Sequence, residues 1–198
     1  MRAQTAARGG AFVSELYRGG LAKRLLSGTT HISVLDARGE AASLSSSLGS
    51  GSGVVVPGTG VHMNNMLGEL DLAGAQRPGT RLTSMMAPSI CFQEGRTRLV
   101  VGSAGSARLR GAIMQVVVNV IERGMSVRDA VDAPRVHVDD AVHAEAGVDV
   151  SGIDAEKVTQ WKSRNLFFGG ANAVEVLPDG TLAAAGDVRR GGAAVVVE

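Results

Sequence analysis

The amino-acid sequence predicts an α+β domain in which sheets and helices form layers. Short alternating segments typical of strands come first, a stretch with helical periodicity follows, and strand-like segments return near the end. The chain has 198 residues, 44% of them hydrophobic, and a formal net charge of +1. This length and balance indicate a folded domain with its own core rather than a disordered tail.

The first 28 residues differ in pattern from the rest of the chain. We treat residues 1–28 as a short N-terminal segment, with helical pieces expected at 11–17 and 21–26, and residues 29–198 as the domain. The segment has no long apolar run after its arginines, so a signal peptide is not expected. No apolar run elsewhere is long enough to span a bilayer. We therefore expect a cytoplasmic protein that does not bind a membrane.

Four hairpins are predicted from alternation interrupted by turn residues. They lie at 31–35 with 41–47, 53–57 with 60–63, 89–94 with 97–102, and 174–177 with 181–185. Residues 193–197 are a candidate for a further strand. The order of strands, then helices, then strands favours an α+β arrangement over a doubly wound parallel sheet.

Helices are predicted between the third and fourth hairpins. An apolar stripe over residues 107–123 repeats at helical spacing, and Gly124 is suited to end that helix. Ser126 is a candidate cap for a short helix that must end before Pro134. A further helix is predicted over residues 154–164.

Thr29 is a candidate nucleophile because it follows Gly28 at the entrance to the first predicted strand. A threonine hydroxyl is hardly ionised at neutral pH, so it needs a base. An α-amino group, with a pKa of about 7.7–8.0, can serve if the threonine begins the chain. This chemistry requires cleavage after Gly28. A plain turn followed by an ordinary edge strand is the alternative.

Two further polar stretches could bind a reacting group. Residues 102–106 (GSAGS) connect a strand to a helix, where free N–H groups suit an oxyanion hole or form an ordinary connection. The adjacent hydroxyls of Thr83 and Ser84 could hold a substrate carboxylate or form a turn before Pro88.

Several classes of function are not favoured. The basic residues are scattered and aromatic residues make up only 3% of the chain, which argues against nucleic-acid binding. His62, His137 and His143 lie in different segments without the spacing of metal ligands, so no metal site or cofactor is expected. For His31 we expect a structural role rather than acid–base work.

Seven motifs, in this order, resemble the small catalytic subunit of the gamma-glutamyltransferase family, also called gamma-glutamyl transpeptidases or glutathione hydrolases. They are TTHISV at 29–34, GSGV at 51–54, NN at 64–65, TSMMAP at 83–88, GSAGS at 102–106, APRVH at 133–137 and DVRRGG at 187–192. The resemblance runs from residue 29 to the end of the chain.

The resemblance implies an N-terminal-nucleophile hydrolase with αββα layers. Such a protein is made as one precursor that cuts itself into a large and a small subunit. Only the small-subunit portion is expected here, because 28 residues are far fewer than the family's large subunit. Residues 1–28 are then a remnant of that subunit or a propeptide.

The resemblance also assigns catalytic roles to four residues. Thr29 matches the threonine that attacks the gamma-glutamyl amide. Ser47 stands where the family has a threonine that supports the nucleophile. Gly105 and Ser106 match the glycine pair whose N–H groups form the oxyanion hole, and serine is unfavourable at 106 if that position needs a positive φ.

Substrate contacts follow from the resemblance in the same way. Thr83 and Ser84 match the serine pair that holds the glutamyl α-carboxylate, and Glu69 stands where the family has an aspartate. Two polar contacts to the α-amino group are replaced, by Gly49 for an asparagine and by Met66 for a glutamine or glutamate. The departures bear on the glutamyl specificity more than on acyl transfer.

The expected activity is transfer or hydrolysis of gamma-glutamyl groups, with water or an amino acid as acceptor and no cofactor. A separate large-subunit chain or a homo-oligomer is an expected partner, without nucleic acid or membrane. A truncated, non-catalytic remnant or an interaction subunit that needs a separate large-subunit chain is the alternative.

Overall fold

The computed structural model describes residues 28–66, 77, 79–81 and 83–197. The strands of these residues are β1 Thr29–Leu35, β2 Ala41–Ser47, β3 Ser89–Gln93, β4 Arg96–Ala104, β5 Val136–Val138, β6 Val142–Ala144, β7 Val158–Gln160, β8 Gly170–Val176 and β9 Leu182–Gly186. The α-helices are α1 Leu109–Ile121 and α2 Val127–Asp132. Short 3-10 helices are Ser106–Arg108, Ala155–Lys157, Leu166–Phe168 and Val188–Arg190. The α+β class is therefore confirmed.

An antiparallel sheet, ordered β3-β4-β8-β9, forms the middle layer and carries both helices on one face. Leu99 and Val101 of β4 and Ala171 and Ala173 of β8 belong to the buried core on this side. The core is completed from the helices by Ile113, Val116, Val120, Val127, Ala130 and Val131. Since residues two apart on a strand share a face, the intervening residues of β4 and β8 face away from the helices.

The β1–β2 hairpin packs on that second face of the middle sheet. Its strands pair in register along their whole length. The Ser33 hydroxyl donates to the Asn172 carbonyl on β8, 3.1 Å away, and the Ser43 hydroxyl donates to the Val101 carbonyl on β4, 3.2 Å away. Two layers of strands and one layer of helices thus lie in the order ββα.

The outward face of the β1–β2 hairpin is apolar and exposed. Ile32 and Val34 are each 52% exposed, and Leu44 is 59% exposed. Side chains of this kind are normally covered when they form one face of a strand layer. The exposed face matches the expectation that only the small-subunit portion of an αββα sandwich is present, because a second helical layer would lie here.

Two predicted helices agree with the structure. The 107–123 helix is found as the 3-10 turn Ser106–Arg108 followed by α1. Helix α2 starts after Ser126, whose hydroxyl accepts from the Asp129 N–H, and ends before Pro134. The predicted helix at 154–164 is wrong. That stretch lacks an apolar helical stripe, and it forms a 3-10 turn followed by β7, which pairs in parallel with β6.

Two of the predicted strand segments are weaker than expected. Residues 53–57 and 60–63 meet through one bridge, Val55 with His62, rather than through a full ladder. Residues 193–197 form no strand. The other predicted hairpins are confirmed, including β8–β9 around the turn at 178–180.

The predicted helical pieces at 11–17 and 21–26 lie outside the described residues. No helix in the described part of the chain is long and apolar enough to cross a membrane. The cytoplasmic location stays a prediction, as does the division of the chain at residue 28.

Candidate active site

Thr29 and Ser47 face each other at the open end of the β1–β2 hairpin. The strand register places them directly opposite, and their hydroxyl oxygens are 3.0 Å apart. Ser47 Oγ also accepts the Gly49 N–H at 3.0 Å. The Gly49 N–H occupies one lone pair of Ser47, so the serine is held in place beside the threonine hydroxyl.

The peptide of Gly28, which precedes the candidate nucleophile, is held against the loop after β2. Its N–H donates to the Gly49 carbonyl at 2.9 Å, and its carbonyl accepts the Leu48 N–H at 3.3 Å. A Cβ at position 28 would come 3.1 Å from the Gly49 oxygen, which is tighter than ordinary contact. The carbonyl that Thr29 would have to attack is thus fixed and polarised by a donor.

A cavity of about 350 Å³ opens beside Thr29. This volume lies at the lower end of the range of ligand pockets, so a ligand about the size of an amino-acid derivative fits. The lining residues are Thr29, Thr30, His31, Ala104, Gly170, Asn172, Asp187, Arg190, Gly191, Gly192 and Ala193. Strands β1, β4 and β8 and the chain after β9 therefore converge on the threonine.

The turn predicted as an oxyanion hole begins directly after Ala104, which lines this cavity. Gly105 has a φ of 138°, and a Cβ there would lie 2.7 Å from the Gly169 Cα, so only glycine fits. Ser106 has a φ of 56°, a left-handed conformation that costs a non-glycine residue about 1 kcal/mol or more. The sequence therefore identified the position at which a serine is strained.

His31 is buried under the hairpin and holds it to the middle sheet. Its Nδ1 is 2.9 Å from the Ser45 hydroxyl and its Nε2 is 2.9 Å from the Ser33 hydroxyl. The ring lies against Gly102, where a Cβ would overlap three ring atoms. Burial lowers the pKa of His31, so the neutral ring is favoured. These contacts agree with a structural role.

A buried ionic cluster lies behind the cavity. Asp187 contacts the Arg135 guanidinium at 2.7 Å and the Arg189 guanidinium at 3.2 Å, and Arg189 also contacts Glu145 at 2.6 Å. All four side chains are almost fully buried. The two positive and two negative charges balance within the cluster. Sequence reasoning noted APRVH and DVRRGG only as motifs and missed that they meet.

The predicted carboxylate-binding hydroxyls are not brought to the cavity. Thr83 and Ser84 are exposed, lie in the loop before β3 and are absent from the cavity lining. The Ser84 hydroxyl accepts the Met86 N–H at 3.2 Å, as in a local turn. Glu69 lies outside the described residues.

Two histidines that the sequence separates come together on paired strands. His137 and His143 lie opposite each other on β5 and β6, and Asp139 lies 3.6 Å and 3.2 Å from their Nε2 atoms. They do lie in different segments, as predicted, but the two strands pair, and that pairing is not visible in the spacing of the histidines. Among the described residues, no group of three or more His, Cys, Asp or Glu side chains is placed to hold a metal ion.

Comparison with known proteins identifies relatives of this chain. A family model described as Gamma-glutamyltranspeptidase matches residues 3–197. The glutathione hydrolase proenzyme of Escherichia coli is 32% identical, with 89% of this chain and 34% of the relative covered. The acylase ACY 1 proenzyme of a Pseudomonas strain is 33% identical, with 85% and 32% covered.

A solved structure shows the same fold. The gamma-glutamyltranspeptidase from Pseudomonas nitroreducens, complexed with L-DON, has a TM-score of 0.71 and 31% identity, with 85% of this chain and 100% of that chain covered. The chain spans about a third of the length of the curated relatives named above. Because the family model matches nearly every residue and the fold agrees, the chain belongs to the gamma-glutamyltranspeptidase family.

Proposed function

We propose that the chain is the catalytic portion of an enzyme that transfers or hydrolyses gamma-glutamyl groups. The observation that carries the proposal is the pairing of Thr29 with Ser47, whose oxygens are 3.0 Å apart at the mouth of a cavity. Family membership supplies the substrate class, and the geometry of this chain supports the choice of nucleophile.

The first step in the proposal is cleavage of the chain itself. The Thr29 Oγ attacks the Gly28 carbonyl carbon, the Gly28–Thr29 C–N bond breaks, and an ester joins Gly28 to Oγ while the Thr29 nitrogen gains a proton. Water then hydrolyses the ester and releases the Gly28 carboxylate and the free Thr29 hydroxyl. The Leu48 N–H, 3.3 Å from the Gly28 oxygen, would stabilise charge that develops on that oxygen.

The second step is acyl transfer from a substrate. With Thr29 at the chain terminus, its α-amino group can accept the Oγ proton as the oxygen attacks a gamma-glutamyl amide. The leaving amine takes a proton and departs, which leaves the acyl group as an ester on Thr29. Water or an amino-acid amine then attacks the ester. Backbone N–H groups of Gly105 and Ser106 would stabilise the oxyanion in both half-reactions.

The acyl specificity is a separate part of the proposal. Gly49 and Met66 replace two polar contacts that the resemblance assigns to the substrate amine. Each unmet polar group would cost about 1–3 kcal/mol in binding a buried ammonium. An acyl donor without that amine is therefore a second candidate within the same chemistry, and one relative is named as an acylase.

A non-catalytic interaction subunit is a second candidate function. It is favoured by the exposed apolar face of Ile32, Val34 and Leu44, which another chain could cover. Under this candidate the Thr29 hydroxyl is a remnant of descent. The two candidates differ in whether removal of one hydroxyl changes any reaction rate.

The test compares Thr29→Ala with Thr159→Ala, a matched loss of an exposed hydroxyl on β7 that does not line the cavity. Each is assayed for release of the amine from a gamma-glutamyl anilide, alone and with the large subunit of a relative. We expect Thr29→Ala to lose at least about 1,000-fold in turnover, because it removes the nucleophile. Thr159→Ala should stay within a few-fold of the parent. Equal rates for the parent and Thr29→Ala would support the non-catalytic candidate instead.

A further inference from the structure

Arg190 lines the cavity beside Thr29 and brings a positive charge to it. It ends the 3-10 turn Val188–Arg190, directly after Arg189 of the buried ionic cluster. Sequence reasoning gave Arg190 no role.

The cluster beside Arg190 is already balanced without it. Both Asp187 oxygens are used, one by Arg189 and the other by the Arg135 guanidinium and the Ala171 N–H. Glu145 is bound by Arg189 at 2.6 Å. None of the ion pairs within the described residues includes Arg190. The positive charge of Arg190 is therefore surplus to the cluster.

The Arg190 guanidinium also has a donor without a partner among the described residues. In the part of the chain that the structure describes, its Nε–H is buried and without an acceptor. A buried donor left unpaired costs about 1–3 kcal/mol, so such a group normally has a partner in the working protein. Burial lowers the pKa of Arg190, and so does the nearby Arg108, although the charge of Asp187 acts in the opposite direction.

The aliphatic part, or stem, of the Arg190 side chain packs against Gly170, where the absence of a side chain leaves space for it. A Cβ at Gly170 would lie 2.7–2.9 Å from its Cβ, Cγ and Cδ, so glycine at 170 is required for the stem to lie there. The Nη2 atom lies 3.7 Å from the position of a Cβ at Gly105. The charged end is thus placed between the nucleophile's cavity and the candidate oxyanion turn.

We propose that Arg190 binds a carboxylate of the substrate in the cavity beside Thr29. A guanidinium presents paired donors that match the two oxygens of a carboxylate, and such charge-assisted bonds are strong when water is excluded. The cavity of about 350 Å³ admits a molecule of amino-acid size. The inference rests on the proposed function, since it names the group on the substrate that the site recognises.

The carboxylate has two sources, which one experiment separates. Glutarate represents the carboxylate of the glutamyl side, and glycylglycine represents that of the leaving or accepting peptide. Binding is measured on the full chain carrying Thr29→Ala, by titration calorimetry and by the Nε–H resonances of ¹⁵N-labelled arginine. Because this background has no nucleophile, the result does not depend on whether the chain is an enzyme.

Four further changes complete the test. We expect Arg190→Gln to weaken binding of at least one probe tenfold or more and to remove the resonance that the probe shifts. Arg190→Lys should bind with intermediate strength, because it keeps the charge without the paired donors. Gly170→Ala should also weaken binding, since it displaces the stem. Arg128→Gln, a matched loss of an exposed arginine, should bind as the parent does.

The outcomes are distinct. Weakened glutarate binding assigns Arg190 to the acyl side, and weakened glycylglycine binding assigns it to the leaving or accepting side. Glutaramide, which is neutral and of similar size, should bind poorly in every variant. Unchanged binding of both probes in folded Arg190→Gln, checked by circular dichroism, would overturn the proposal. Absent turnover in the parent with Arg190-dependent binding would reject the proposed function alone.

Discussion

The two faces of the β1–β2 hairpin have the reverse polarity of those in an ordinary surface hairpin. The inward face, against the middle sheet, carries hydroxyls and a histidine: Thr29, His31, Ser33, Ser43, Ser45 and Ser47. The outward face carries Ile32, Val34 and Leu44, each more than half exposed. A hairpin at a protein surface would bury the second set and expose the first.

The inversion shows what each face is for. The inward polar groups pair with each other and with backbone carbonyls, so they hold the hairpin in register and keep Thr29 opposite Ser47. The outward apolar groups have the composition of a face that another layer covers. The pairing of Thr29 with Ser47 is therefore built within this chain, whereas shielding of the hairpin depends on what lies against it.

The largest expected effect on stability is at the contact between the two strand layers. Gly102→Ala would place a Cβ within the His31 ring, so the hairpin must shift away from the sheet. We expect the free energy of unfolding to fall by about 1–3 kcal/mol, as for overpacked cores. Chemical denaturation measures the change.

Gly111→Ala is the matched control for that prediction. A Cβ at Gly111, within α1, meets only the Gln115 side-chain nitrogen at 3.8 Å. It should raise the free energy of unfolding by about 0.5–1 kcal/mol, because alanine is favoured in a helix. A destabilised Gly111→Ala with a neutral Gly102→Ala would contradict the inward packing.

A smaller effect is expected at the strained turn beside the inward face. Ser106→Gly relieves the left-handed φ of 56° but makes the unfolded chain more flexible. The two terms oppose each other, so we expect the free energy of unfolding to rise by up to about 1 kcal/mol. Ser106→Ala keeps the strain and should give no gain. A gain for alanine equal to that for glycine would show that the conformation is not the cause.

A polar substitution on the outward face of the hairpin should cost less free energy of unfolding than the same substitution in the buried sheet. Val34→Thr, at a 52% exposed position, should change the free energy of unfolding by less than about 0.5 kcal/mol and reduce binding of a hydrophobic dye. Val100→Thr makes the same change at a fully buried position of β4 and should cost about 1–3 kcal/mol. Equal costs at the two positions would mean that the outward face is already covered in the isolated chain.

The smallest effect we expect is on the pH dependence of stability. Burial lowers the pKa of folded His31 below the value of about 6.5 in the unfolded chain. As pH falls below about 6.5, the unfolded chain binds a proton that folded His31 does not, so the free energy of unfolding decreases. The loss ends near the lowered pKa of the folded state.

His31→Gln isolates that contribution. The variant should lose less stability than the parent between neutral and mildly acidic pH. His137, whose pKa is also lowered by burial, remains in both proteins and cancels in the difference. Identical pH profiles for the parent and the variant would contradict the buried, neutral ring.

Much of this fold could be predicted because its signals are local. Alternation predicted the hairpin that carries Thr29 and Ser47, and the cap at Ser126 predicted the start of α2. The helix predicted over 154–164 was wrong because the strand in that stretch is defined by its pairing with β6, a partner that lies elsewhere in the sequence.

The candidate site could be predicted only in part, because some of its residues come together from segments that are distant in sequence. The family resemblance predicted roles for Thr29, Ser47 and the glycine turn from their order along the chain. They could not show that Arg190 points to the same cavity, because that placement depends on the slot above Gly170. Charged residues brought together from distant segments leave no periodic signal.

The central claim is that the Gly28–Thr29 bond is cut and that Thr29 becomes a catalytic chain terminus. Intact mass and N-terminal sequencing, on the chain alone and with a relative's large subunit, test it directly. We predict a species that lacks residues 1–28 and begins at Thr29, formed by the parent and absent from Thr29→Ala. A preparation that turns over a gamma-glutamyl anilide while this bond stays intact would contradict the account.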